Sequence, residues 1–147
     1  MQKLKKAKKN LKKKVFVSMC ADGLHHGHIN ILKKAKKYGN VTVGLMTDKG
    51  IKSYKKKYPL IKYNDRKKIL EHINLIDRIV PIAGLNFSAI AKKYRINIWV
   101  HGDDWKKGTQ AIHRKKLIIT MKKMKGKVID VPYTKKISST RLAKYIK

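Results

Sequence analysis

Five short apolar runs, each separated from the next by a stretch with helical period, constrain this chain more than any other feature. Lys14–Met19, Val41–Met46, Arg78–Ile82, Ile96–Val100 and Lys127–Val131 are short and mostly β-branched, as buried strands are. Between the first two, Gly27–Tyr38 sets Ile31, Leu32, Ala35 and Tyr38 on one helical face, with Gly39 as a stop. Asn64 is expected to cap a helix running to about Ile73, with Ile69, Leu70 and Ile73 turned inward. Phe87–Tyr94, Thr109–Met124 and Ser139–Ile146 read as further helices, and Thr47–Tyr63 as a long basic loop or partly helical insert. Strands alternating with helices predict an α/β fold, a five-stranded parallel sheet with helices on both faces. The 147 residues suit a single domain over 15–147, behind a basic arm over 1–14 that holds eight lysines.

Charge decides what such a domain meets. Lys and Arg number 39 against 8 acidic residues, a formal +31. That field attracts nucleotides, phosphorylated metabolites, nucleic acid or an acidic membrane surface, and salt should weaken the attraction. A hydrophobic share of 42% excludes a disordered chain. No apolar run approaches membrane-span length, and the lysine-rich start has no apolar segment behind it, so a soluble, cytoplasmic protein is expected. Cys20 is the single cysteine, which excludes an intramolecular disulfide.

In open parallel sheets ligands bind beyond the carboxyl ends of the strands. Two polar clusters fall there, Cys20–His28 after the first strand and His101–Trp105 after the fourth, and Ser138–Arg141 adds a third at a helix start. In the first cluster, His25 and His28 stand three apart where loop turns into helix, so both can point to one side. Gly27 lets backbone approach a ligand closely, and the helix start presents free N–H groups suited to phosphate. Two imidazoles there can donate to phosphate oxygens whose charge grows in a transition state. A capping or core histidine pair is the plainer alternative. A metal site on Cys20, His25 and His28 is another, but it needs further ligands at a spacing the chain does not supply.

These residues resemble a known family. His25-His26-Gly27-His28 after a first strand is similar to the His-x-Gly-His signature of the nucleotidyltransferase superfamily related to class I aminoacyl-tRNA synthetases. Val43–Asp48 resembles that family's second strand and turn, His101-Gly102-Asp103-Asp104-Trp105 its cytidylyltransferase element, and Ile137-Ser138-Ser139-Thr140 its C-terminal Ile-Ser-Thr element. Ser18–Asp22, Ser53-Tyr54-Lys55, Gly102–Lys106 and Tyr133-Thr134-Lys135 resemble most the cytidylyltransferases that activate 2-aminoethylphosphonate and similar head groups. Glycerol-3-phosphate and phosphocholine or phosphoethanolamine cytidylyltransferases are more distant likenesses. Gly23 and Lys136 depart from the pattern, and Tyr133 replaces an arginine of the glycerol-3-phosphate type, which argues against that acceptor.

The resemblance implies a Rossmann-like, doubly wound fold and transfer of CMP from CTP to a small phosphonate or phosphorylated alcohol, with release of pyrophosphate. His25, His28 and Lys55 would be catalytic, with Lys56 a rival for the mobile lysine. Ala21, Asp22, Gly27, His101, Gly102, Asp103, Asp104, Trp105, Ile137, Ser138, Ser139, Thr140 and Arg141 would bind the nucleotide. Arg66 and Tyr133 would touch phosphate or substrate, Arg66 having an equal claim to a structural role. Mg²⁺ would be carried by the triphosphate, with no metal ligands from the protein. A homodimer is implied, and the lysine-rich surface could bind nucleic acid or acidic membrane weakly. Two rivals stand beside this reading: a basic nucleic-acid-binding module, against which sparse aromatic interleaving counts, and an adenylyltransferase of the same superfamily.

Overall fold

In β1 (Lys13–Met19) successive residues face opposite sides of the sheet, and both sides are buried. Val15 and Val17 enter one core, and Phe16 enters the other. That double burial is the signature of a parallel sheet covered on both faces, and the computed structural model has this architecture. The structure describes residues 12–132, 134 and 138–145.

The chain runs β1, α1 (His26–Lys36), β2 (Gly39–Met46), α2 (Asp48–Lys55), α3 (Tyr63–Glu71), β3 (Arg78–Ile82), α4 (Phe87–Tyr94) and β4 (Ile98–Gly102). Two 3₁₀ turns (Asp103–Lys106 and Gly108–Gln110), α5 (Ala111–Lys123), β5 (Lys127–Val131) and α6 (Ser139–Ala143) complete it. The strands pair in the order β3-β2-β1-β4-β5, all parallel. Helices α1 and α3 cover one face, where Leu32, Ala35 and Leu70 pack on Val15, Val17, Val43 and Val100. Helices α2, α4 and α5 cover the other, where Ile51, Phe87, Ala91, Leu117 and Met121 surround Phe16 and Trp99. The α/β fold with helices on both faces is therefore present, and it is Rossmann-like. Among the described residues no helix is long and apolar enough to cross a membrane.

Three local readings need correction, and one alternative is decided. Lys13 and Lys14 belong to β1, in register with Gly39 and Asn40 of β2, so the basic arm does not extend to 14; residues 1–11 lie outside the described structure. Of the two readings of the insert after Thr47, the partly helical one holds: it opens with helix α2, whose start is held by Thr47 Oγ1 accepting from Gly50 N at 3.1 Å. Asn64 is not a cap. Helix α3 starts two residues before such a cap would place it, at Tyr63, whose N–H donates across the fold to Asp48 Oδ1 at 3.0 Å. Ile69 is 48% exposed, because the inner face of α3 is set by Arg66 and Leu70, one turn apart.

Close packing at one glycine yields a direct test. A Cβ on Gly44 of β2 would lie 2.3 Å from Cζ of Phe16, whose ring sits at the centre of the second core. Gly44→Ala should destabilise by about 1–3 kcal/mol through overpacking. Thermal unfolding followed by circular dichroism should show Tm lowered by several degrees, and an unchanged Tm would contradict this packing.

Candidate active site

The strand order reverses at β1: the chain steps outward from β1 to β3 on one side and through β4 to β5 on the other. Crevices form at such switch points, beyond the carboxyl ends of the strands. A cavity of about 630 Å³ opens there. Its wall includes Cys20, Ala21, His25, Gly27, His28, Tyr54, Lys55, His101, Gly102 and Asp104, and the last turn brings in Thr134, Ser138, Ser139 and Thr140.

The two histidines form the start of α1. His25 is the N-cap: its Nδ1 accepts from Gly27 N at 3.0 Å, while His28 Nδ1 accepts from His25 N at 3.2 Å. This is a capping box built from imidazoles in place of the usual hydroxyl and carboxylate. Its chemical result is a defined tautomer: with Nδ1 accepting, each neutral ring carries its proton on Nε2. The rings lie 4.2 Å apart and both line the cavity, so two Nε2–H donors stand together at a helix N-terminus. Burial, followed by the neighbouring His25 ring, pushes the His28 pKa down to about 4, and Lys55 acts in the same direction. Burial, then His26, lowers His25 as well. Gly27 leaves room for the cap, since a Cβ there would meet His25 Cε1 at 2.7 Å.

Across the cavity, β4 delivers His101 and Gly102. His101 Nδ1–H donates to the Gly102 carbonyl at 2.8 Å, and its ring stacks on Trp105 at 4.1 Å and 7°. Burial holds the His101 pKa below the usual range, so the ring is neutral beside Asp104. Trp105 itself is 1% exposed and does not reach the cavity; its Nε1–H donates to Asp130, which Arg114 grips at 2.7 Å. Asp103 is half-buried at the start of the 3₁₀ turn and also stands off the cavity wall. Of the acidic pair, Asp104 is the one that faces in.

Helix α2 supplies the third wall. Lys55 lines the cavity, whereas Lys56 turns away with φ of 64° and its Nζ on the Ser53 carbonyl at 3.4 Å. Tyr54 Oη and Cys20 Sγ are 2.8 Å apart, and burial, then Cys20, raises the Tyr54 pKa. Ser138 caps α6 by accepting from Arg141 N at 3.0 Å, and Ser139 Oγ donates to the Gly23 carbonyl at 2.9 Å, tying α6 to the histidine loop. The Arg141 side chain is exposed and away from the cavity wall.

Two residues expected at the ligand are fully engaged by the protein. Asp22 accepts from Leu60 N and Ile61 N, both at 2.9 Å, and so fastens the segment between α2 and α3 to the first loop. Arg66 has no solvent exposure and is held by the Ile61, Cys20 and Met46 carbonyls and by Asp48. Its equal claim to a phosphate contact therefore gives way to the structural one. Tyr133 and Ile137 lie outside the described residues, as does Lys136. The structure adds Ser18, Met46, Tyr54, Leu85, Phe87, Gln110 and Thr134 to the cavity. Ser18, Met46, Tyr54 and Thr134 stood within motifs quoted from the sequence, though none was singled out there; Leu85, Phe87 and Gln110 are ordinary core or loop residue types that carry no local signal.

The lowered histidines set a stability window. The unfolded chain takes up these protons near 6.5, whereas folded His28 stays neutral down to about 4. Stability from the neutral rings is thus fully present above 6.5 and is lost as pH falls toward 4. Urea midpoints measured from about pH 7.5 down to about pH 4.5 should fall steadily. In His28→Asn, whose amide oxygen keeps a cap acceptor, the fall should be shallower, and equal slopes would contradict the assignment.

A family model described as cytidylyltransferase-like matches residues 16–144. The glycerol-3-phosphate cytidylyltransferase of Bacillus spizizenii is 33% identical over 135 residues, covering 90% of this chain and 95% of that protein. That of Bacillus subtilis is 31% identical over 141 residues, covering 91% and 97%. The bifunctional protein HldE of Desulfatibacillum aliphaticivorans is 26% identical over 153 residues, and there the match spans all of this chain but only 30% of the relative's length. Among solved structures, the lipopolysaccharide core biosynthesis protein of Thermoplasma volcanium GSS1 superposes with a TM-score of 0.67 at 23% identity, over 85% of this chain and 98% of that one. The pantoate-beta-alanine ligase of Francisella tularensis gives 0.65 at 16% identity, over 97% and 70%. At those identities the two structures speak for the fold alone.

Proposed function

The chain belongs to the cytidylyltransferase-like family, and from that premise we propose that it transfers CMP from CTP to a small phosphorylated alcohol, releasing pyrophosphate. One observation carries the reading: the paired neutral imidazoles at the start of α1, each with Nδ1 occupied by a backbone N–H, so that its proton is on Nε2, and each lining the cavity. Such donors fit an α-phosphate that gains negative charge as its bond to the leaving pyrophosphate breaks.

The attacking phosphate oxygen of the acceptor is already largely anionic near neutral pH, its second pKa lying near about 6, so no general base is needed. The barrier is the meeting of two anions, and positioning and positive donors lower it. His25 and His28 would hold the triphosphate, Lys55 from α2 would bridge the two reacting phosphates, and Ser138, Ser139 and Thr140 would receive the outer phosphates. Backbone at Gly102 and the Asp104 carboxylate would face the nucleoside. Among the described residues no three His, Cys, Asp or Glu side chains stand together as a metal cage. Mg²⁺ carried by the triphosphate would supply charge neutralisation.

For the acceptor, the relatives named glycerol-3-phosphate cytidylyltransferases support a phosphorylated alcohol better than the phosphonate first expected. Purified protein with Mg²⁺ should therefore release pyrophosphate from CTP with glycerol 3-phosphate faster than with 2-aminoethylphosphonate, phosphocholine or phosphoethanolamine. Preference for the phosphonate would restore the first expectation. Turnover with ATP in place of CTP would move the protein to the adenylyl branch, and none with any pair would refute the proposal.

A further inference from the structure

Helix α5 has two apolar faces, and among the described residues only one of them is packed into a core. Leu117 and Met121 are buried in the second core. On the opposite side Ile112 and Ile119 are 57% and 58% exposed, two helical turns apart and so in line, with Ile118 at the edge. Lys115, Lys116, Lys122 and Lys123 are exposed on either flank of that stripe. Helix α4 packs beside α5 in the same layer and exposes Lys92 and Lys93. Neither helix contains an acidic residue.

An isoleucine stripe framed by lysines selects among partners. At this face a second copy of this chain would set lysines against lysines. Nucleic acid would use the lysines, but aliphatic side chains without exposed aromatic rings give it nothing to stack on. The ring of His113, the aromatic group of α5, turns inward against Phe87. An anionic bilayer uses both features: isoleucine enters the boundary between headgroups and acyl chains, while lysine lays its methylenes on that boundary and holds its ammonium at the phosphates. We propose that the outer face of α5 docks this protein on an anionic lipid surface, with Ile112 and Ile119 as the inserted side chains.

The test separates this face from general charge attraction. The full chain is sedimented with vesicles of phosphatidylcholine alone and with equimolar phosphatidylcholine and phosphatidylglycerol, at about physiological salt. Binding is expected with the anionic vesicles only. The double variant Ile112→Ser/Ile119→Ser keeps every charge and should partition at least about tenfold more weakly. Its Tm and its turnover with soluble substrates should be unchanged, since both positions are exposed and off the cavity. Binding of poly(U) by the same variant should not change. In Ile119→Trp, emission should shift to the blue on adding anionic vesicles, which reads insertion directly. The proposal is overturned if the double variant binds vesicles as the parent does, if poly(U) binding falls by the same factor, or if the new tryptophan shows no shift.

Discussion

His28→Ala is expected to lower kcat about 10²–10³-fold, the magnitude typical of removing one donor aimed at developing phosphate charge. The loss should fall on kcat more than on KM for CTP, because a donor matched to the transition state contributes little to ground-state binding. The substitution also deletes the acceptor for His25 N–H, 3.2 Å away, so about 1 kcal/mol of helix-start stability should go with it. His28→Asn separates the two effects. Its amide oxygen restores an acceptor but is too short to carry a donor to the place of Nε2, so stability should recover while turnover does not. Steady-state kinetics and thermal unfolding on the same three proteins check this, and a kcat for His28→Ala within a few-fold of the parent would remove His28 from the chemistry.

The largest stability effect should come from Arg66→Met. The guanidinium is fully buried and donates at 2.6–2.8 Å to the Ile61, Cys20 and Met46 carbonyls and to Asp48. Methionine fills similar volume but donates nothing, leaving three carbonyls and a carboxylate without their partner. Breaking a buried charge-assisted network of this kind costs about 3–5 kcal/mol, which for a chain of this size corresponds to a Tm lower by roughly 10–20 °C. One of those carbonyls, of Cys20, directly follows β1 and another, of Met46, ends β2, so the loop carrying His25 and His28 should lose register with α2. Turnover at a temperature where the variant remains folded should therefore fall although Arg66 touches no cavity. Calorimetry showing a Tm change of less than a few degrees would contradict the clamp.

What sequence reading recovers here depends on how local the determinant is. The strands β3 and β5 were legible to the residue, because short apolar runs between polar turns leave no alternative period. Helix α2 was not assigned outright: it is eight residues long, its inward face is Ile51 and Tyr54 with Gly50 in its first turn, and so few positions repeat that the Thr47 cap carries much of the signal. At α3 the capping group comes from Asp48, 15 positions upstream, where no local rule for Asn64 could find it. The cavity follows the same division. His25, Gly27, His28, Gly102, Asp104 and the Ser138–Thr140 turn were readable because they lie on contiguous motifs at strand ends. Asp22 and Trp105 belong to those motifs too, yet they point into Leu60 and Ile61 amides and into Asp130. Motif membership indicates which segment lines a cavity; which way each side chain turns is decided by partners far along the chain. The Cys20–Tyr54 contact, 34 residues apart, is of that second kind.

The imidazole capping box carries a consequence for acid. A protonated ring has no lone pair left on Nδ1, so it cannot accept the amide of Gly27 or of His25. Charging either ring would strengthen its Nε2–H as a donor and, in the same event, unlatch the first turn of α1. The donor pair and its mounting share one proton inventory, so the protein can sharpen this site by burying it but not by ionising it. Lysine or arginine would donate more strongly at either position, yet neither has an acceptor atom with which to hold the helix that aims it.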